Sequence, residues 1–352
     1  MNHRILLPVA LLLPTLLSSH VPGDRIRFSP AEGTSATKTF ENKAEFTLQN
    51  MKLSMNGQEP PTKPEMEMTI TSSQKVVVTD DYVANREGAP KKLRRSFDEL
   101  GNSVTMSMKM QMMGQSQNQD KNVTGESELE GKKVVFTWDE DKGEYVKTFE
   151  PAAEKENLLK ELEEDMDLRE LLPQNEVKEG EEWEIDVQKL ASVLAPGGNL
   201  SILPKDEGEE GAGMDMPGMS NVSDWLRGAM EGSAKGVFKG VTEEGGTKLG
   251  KILITAKLSV SKDMTDIVEE MMKKSKQPVE AEIDHMDVDF KLEAEGELLW
   301  DLAAGRAHSF SISGPSTVNM DMAMKIDAQG QKMEIGYGME MSGTTGLTLE
   351  VK

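Results

Sequence analysis

Met286-Asp287-Val288-Asp289-Phe290-Lys291-Leu292 alternates apolar and charged residues without a break. Period two puts Met286, Val288, Phe290 and Leu292 on one face of an extended chain and Asp287, Asp289 and Lys291 on the other. The pattern returns in Val318, Met320, Met322, Met324 and Ile326. After the polar turn Asp327-Ala328-Gln329-Gly330 it returns again in Ile335, Tyr337, Met339 and Met341. Alternating runs separated by Gly-containing turns define an antiparallel meander with one wet face.

Towards the N-terminus, Val104, Met106, Met108, Met110 and Met112 form another ladder. Ala44, Phe46 and Leu48 hold even positions, whereas Met51, Leu53 and Met55 hold odd ones. That phase change predicts a bulge near Asn50, and Asn56-Gly57 predicts a turn directly after it. The expected fold is mainly β. Two antiparallel, curved β-sheet units, residues 21–150 and 232–352, flank a connector, residues 151–231, with short helices and an acidic Gly/Met-rich loop.

Helical spacing is confined to three patches. Leu158, Leu159, Leu162 and Met166 make the first. Val187, Leu190, Ala191 and Leu194 make the second, stopped by Pro196-Gly197-Gly198. Ile267, Met271 and Met272 make the third, ended before Pro278. Residues 205–220, rich in Gly and acid, read as a flexible surface insertion.

Trp138-Asp139-Glu140-Asp141-Lys142-Gly143 and Trp300-Asp301-Leu302-Ala303-Ala304-Gly305 share the pattern W-D-x-x-x-G. Each reads as a hairpin: Trp packs on the sheet, Asp accepts backbone hydrogen bonds in the turn, and Gly takes positive φ. Pro173-Gln-Asn-Glu-Val177-Lys-Glu-Gly180-Glu-Glu-Trp183 reads as strand, Gly turn and strand. Together with the two hairpins, that run resembles an exported bacterial β-rich family of unknown function. The resemblance implies no catalytic residues.

The chain has 352 residues, 62 Asp and Glu against 40 Lys and Arg, and a formal charge of −22. Such a field repels phosphate backbones, so nucleic acid is not an expected partner. The acidic run Glu161, Glu163, Glu164 and Asp165 reads as a solvated face. Arg4 followed by the apolar run Ile5–Leu17 reads as a secretory signal over residues 1–20, too short for a membrane span. Cleavage is expected near residues 19–24, giving a periplasmic or secreted chain without a transmembrane segment. With no Cys, thiol catalysis and thiolate metal sites are excluded.

Only His285 and His308 lie in clearly mature sequence, and no G-x-S-x-G, H-E-x-x-H, P-loop or G-x-G-x-x-G occurs. His308 shares parity with Phe310 and Ile312 and reads as a partly buried sheet residue. Asp139, Asp141 and Gly143 begin like a calcium loop, but Phe149 stands where the closing Glu belongs. No enzyme and no cofactor is expected.

The 25 Met residues are the distinctive chemistry. Strand Met residues suit an adaptable apolar surface. Thioethers also suit Cu(I), and Met214, Met216 and Met219 put three of them in one loop. The leading expectation is an exported, non-catalytic β-scaffold that binds an apolar small molecule or an envelope protein. The rivals are a Met-based Cu(I)-binding protein and a structural envelope component.

Overall fold

The computed structural model describes residues 23–60, 65–112, 115–152, 155–205, 229–274, 280–328 and 331–352. The N-terminal strands are β1 (Thr34–Met55), β2 (Glu65–Arg86), β3 (Ala89–Met112), β4 (Gln115–Ser127), β5 (Lys133–Asp139) and β6 (Glu144–Phe149). The connector carries β7 (Glu182–Ile185), helix α1 (Leu190–Leu194) and β8 (Ile202–Pro204). The C-terminal part holds β9 (Met230–Glu244), β10 (Thr247–Asp263), helix α2 (Thr265–Lys274), β11 (Glu280–Asp301), β12 (Arg306–Ala328) and β13 (Gln331–Val351).

The two expected units merge. They form one 13-stranded antiparallel sheet, ordered β6-β5-β3-β2-β1-β13-β12-β11-β10-β9-β7. The seam is β1 against β13, from Lys38↔Val351 to Met55↔Ile335. β3 forks: Lys92–Ser96 pair with β5, whereas Gly101–Met112 pair with β4, which in turn pairs with β8. The expected bulge is present, since the β1–β13 register shifts between Leu48 and Asn50. Met55 and Gln58 exchange backbone hydrogen bonds across the Asn56-Gly57 turn.

Six strands run 21–24 residues, which is about 70–80 Å at ~3.3 Å per residue. Only part of that length meets the connector. There the sheet supplies Val76, Val78, Leu93, Phe97, Phe310, Leu347 and Ile254, and the connector supplies Leu159, Leu162, Met166, Leu171, Leu190 and Ile202, all in one buried core. The hydrogen bond from Asn42 Nδ2 to Leu194 O, 3.5 Å, joins β1 to the end of α1. The rest of each long strand extends past this core on the same face.

Two of the three helical expectations hold, at α1 and α2. The first does not: Leu158–Met166 gives only a 3-10 turn, Glu156–Leu159. An α-helix would commit Glu163 N to Leu159 O and the Glu161 carbonyl to Asp165 N. Here Glu163 N donates to Gly197 O at 2.9 Å and the Glu161 carbonyl accepts from Asn199 N at 3.1 Å, while the carbonyls of Glu163 and Glu164 accept from Arg95 Nη1 and Nη2 at 2.9 and 2.8 Å. The segment gives up helix to reach across to the sheet.

Candidate functional site

The long strands place a band of thioethers on the sheet face beyond the connector. Met66 and Met68 of β2 stand opposite Met110 and Met108 of β3, and Ile70 stands opposite Met106. On the other side of the seam, Met341 pairs with Val318, Met339 with Met320, Tyr337 with Met322 and Ile335 with Met324. Val288 and Met286 of β11 continue these rows. Met68, Met339 and Met341 are buried, while Met66, Met106, Met108, Met110, Met320, Met322 and Met324 are half-buried. Ser107, Lys109, Asp321 and Lys325 between them are exposed. Alternation therefore sorts the ladders as the sequence requires, with Met112 outside what can be described at side-chain level.

One end of this face is covered. Ile267 and Val268 of α2 pack on a cluster of Met264, Ile283 and Met286, flanked by Val288, Met320, Met322 and Met324. Asp263 Oδ1 caps α2 by accepting from Thr265 N at 2.9 Å, and Thr265 Oγ1 accepts from Met286 N at 2.9 Å. The Tyr337 hydroxyl donates to Met339 Sδ at 3.6 Å. Burial raises the Tyr337 hydroxyl above its ordinary range. Towards β3 and β4 the face is open enough to leave Met106, Met108 and Met110 half-exposed to solvent.

A second cluster lies under the connector. Arg95 and Asp80 are fully buried and joined by two hydrogen bonds. Lys38 Nζ lies 2.7 Å from Asp80 Oδ2 and 2.7 Å from Asp167 Oδ1. The Tyr82 hydroxyl donates to Asp167 Oδ1 at 2.6 Å. Arg169 pairs with Glu164 and, at 3.0 Å, with Asp165. Of the acidic run read as a solvated face, Glu161 is exposed and Glu163 and Asp165 are half-buried, but Glu164 is buried, as is the neighbouring Asp167. Arg95 and Lys38 lie one apiece on β3 and β1, and charge pairing draws the carboxylates in after them.

The electrostatics follow from burial and pairing. Desolvation opposes ionisation of Asp80, but Arg95 and Lys38 outweigh it and hold its carboxyl below the ordinary range. Burial, reinforced by Asp167 and Asp80, pushes the Tyr82 hydroxyl well up. Burial also pushes Glu164 up to about 7; Arg169 opposes this, while Asp165 and Asp167 add to it. Glu164 Oε1 and Asp167 Oδ2 take no hydrogen bond. The cluster thus clamps the connector to β1, β2 and β3.

The W-D-x-x-x-G turns are superposable in their bonding. Asp139 Oδ1 accepts from Asp141 N and Lys142 N at 3.0 and 3.2 Å, and Asp301 Oδ1 from Ala303 N and Ala304 N at 2.9 and 2.8 Å. Gly143 and Gly305 sit at φ 69° and 63°, where a side chain is strained. The indoles differ. Trp300 is fully buried and donates to Arg27 O at 3.2 Å. Trp138 is half-buried under the Arg86 guanidinium, 3.8 Å from the ring centre. Trp183 lies over Gly236, opposite it in the β7–β9 pairing, and donates to Leu171 O at 3.2 Å.

Met214, Met216 and Met219 lie outside the described residues, as do residues 1–22. His308 is half-buried beside Phe310, and exposed His285 stands 3.4 Å from Asp321. Among the described residues no group of three or more His, Asp or Glu converges as a metal site. Two clefts are lined by residues other than methionine. One, about 380 Å³, is lined by Arg25, Arg27, Ser29 and Trp300. The other, about 350 Å³, lies between Glu128, Lys155, Asn199 and Leu203. Among the described residues no helix is long and apolar enough to cross a membrane.

No protein-family model matches the chain, and no curated protein does. Among solved structures, the chain is weakly similar to an outer membrane channel from Pseudomonas putida F1. Identity is 8%, over 94% of this chain and 99% of that one, with a TM-score of 0.21. It is also weakly similar to the outer membrane protease OmpT from Escherichia coli. There identity is 8%, over 92% and 98% of the two chains, with a TM-score of 0.10. Scores this low establish no shared fold.

Proposed function

We propose that the protein is an exported, non-catalytic β-scaffold whose methionine face holds an apolar segment of an envelope partner. The observation that supports this is continuity: the rows through Met68, Met108, Met341 and Val318 extend the core face of the same strands past the connector that covers the rest. Unbranched thioether side chains repack around differing apolar shapes. The rows run along extended strands, so an extended partner matches their shape. Export is read from Arg4 and the Ile5–Leu17 run.

Displacement of an apolar fluorescent dye tests this reading. The folded protein should enhance the dye, and Met106→Lys with Met108→Lys should remove most of the enhancement while the unfolding midpoint stays near wild type. Equal enhancement by the double variant would refute the assignment of this face.

A further inference from the structure

From the β2–β3 pairing we propose that Met66, Met68, Met108 and Met110 form a thioether quartet that binds one soft monovalent cation of the Cu(I) type. Met66↔Met110 and Met68↔Met108 are directly opposite pairs, and all four side chains share one face. Opposite Cβ atoms in an antiparallel pair lie about 4.5–5.5 Å apart. Successive same-face residues on one strand lie about 6.5–7 Å apart. Three rotatable bonds in each side chain let four sulfurs converge on a point above that rectangle.

Composition along the strands argues that sulfur itself matters. Under the connector, the same faces of β2 and β3 carry Val76, Val78, Leu93, Phe97 and Leu100. Past the connector they carry Ile70 and Val104 and then Met66, Met68, Met106, Met108 and Met110. Val and Ile fit a pleated surface better than Met does. A thioether is what they lack, and thioethers select soft Cu(I) over hard divalent ions. The residues opposite Met110 and Met108 on β4 are Gln117 and Gln119, and the next residue along that face, Lys121, stands opposite Met106. The other thioether group is less suited: Met339 Sδ already accepts the Tyr337 hydroxyl, and α2 covers Met286. The quartet combines one buried sulfur residue, Met68, with three half-buried ones, so an ion can enter.

The test is titration of the full chain with Ag(I), which matches Cu(I) in charge and softness and does not cycle, against a chromogenic chelator of known affinity. One equivalent should be withdrawn, and the methyl resonances of Met66, Met68, Met108 and Met110 should move together in a spectrum with labelled Met methyl groups. Replacing all four by Leu should lower affinity at least tenfold while leaving dye binding intact, so metal binding and partner docking are read separately. The triple variant Met214→Leu, Met216→Leu, Met219→Leu should bind as wild type does. The proposal is overturned if no ion is withdrawn, if other methyl groups move instead, or if the triple variant loses the ion. The methyl spectrum of the wild-type protein decides the matter even where the quadruple variant does not fold.

Discussion

Arg95 grips Asp80 through two parallel hydrogen bonds, Nε to Oδ1 at 2.7 Å and Nη2 to Oδ2 at 2.8 Å, with neither residue exposed to solvent. Truncating Arg95 to Ala leaves Asp80 with only Lys38 and frees the carbonyls of Glu163 and Glu164. Breaking a buried pair of this kind costs about 3–5 kcal/mol. Urea unfolding of Arg95→Ala should show that loss, and the double variant with Asp80→Ala should recover part of it. A loss below about 1 kcal/mol would place Arg95 in contact with water.

Glu164 sets a pH dependence of the opposite sign to Asp80. Its folded pKa is raised from 4.5 to about 7, so between those values the folded state binds more protons than the unfolded one. Stability contributed by the neutral acid is present below 4.5 and is lost as pH rises towards 7, by about 3 kcal/mol at most. Asp80, held low, contributes stability that is present above 3.8 and is lost as pH falls. Unfolding midpoints measured across this range should therefore decline from mildly acid to neutral pH, and Glu164→Gln should flatten that decline. A wild-type midpoint that rises over the same interval would contradict the burial of this acid.

The two W-D turns should part company when their indoles are removed. Trp300 is fully buried, so Trp300→Ala should cost about 3–5 kcal/mol. Trp138 is half-buried against Arg86, and Trp138→Ala should cost roughly half as much or less. Equal unfolding midpoints for the two variants would show that the hairpins are equivalent in packing as well as in bonding.

Peroxide should read the methionine face as a gradient. Met55, 44% exposed, oxidises first. Met106, Met108, Met320 and Met322, half-buried, follow, and Met68, Met286, Met339 and Met341 come last. Sulfoxide formation tracks access to the thioether. Peptide mapping over a time course gives the order directly, and early oxidation of Met286 would contradict the enclosed end of the face. A bound Ag(I) ion should slow Met66 and Met110 and leave Met55 unchanged.

Strand content, the bulge after Leu48, the Asn56-Gly57 turn and both W-D hairpins were legible because each is a local decision of backbone geometry and alternation. The ladders were legible for the same reason, since Met106, Met108, Met320 and Met322 have polar residues between them. The union of the two halves was not, because the pairing of Lys38 with Val351 leaves no local trace in either strand. The buried charges were hidden too. Glu164 and Asp167 look like any acidic surface until Lys38, Arg95 and Arg169 arrive from other parts of the chain. The failed helix at Leu158–Met166 has the same cause, because the Glu163 amide and the Glu161 carbonyl are taken by Gly197 and Asn199 from later in the chain.

The seam between β1 and β13 imposes an order on synthesis. β1 is an interior strand of the finished sheet, yet one of its two partners emerges only after every other strand has been made. Until then, β1 and β12 each show a bare edge of unpaired amides and carbonyls, the surface through which chains join one another. A nascent chain stopped before residue 331 is therefore a template for self-association. A holding factor would keep those two edges apart until β13 arrives to pair with both.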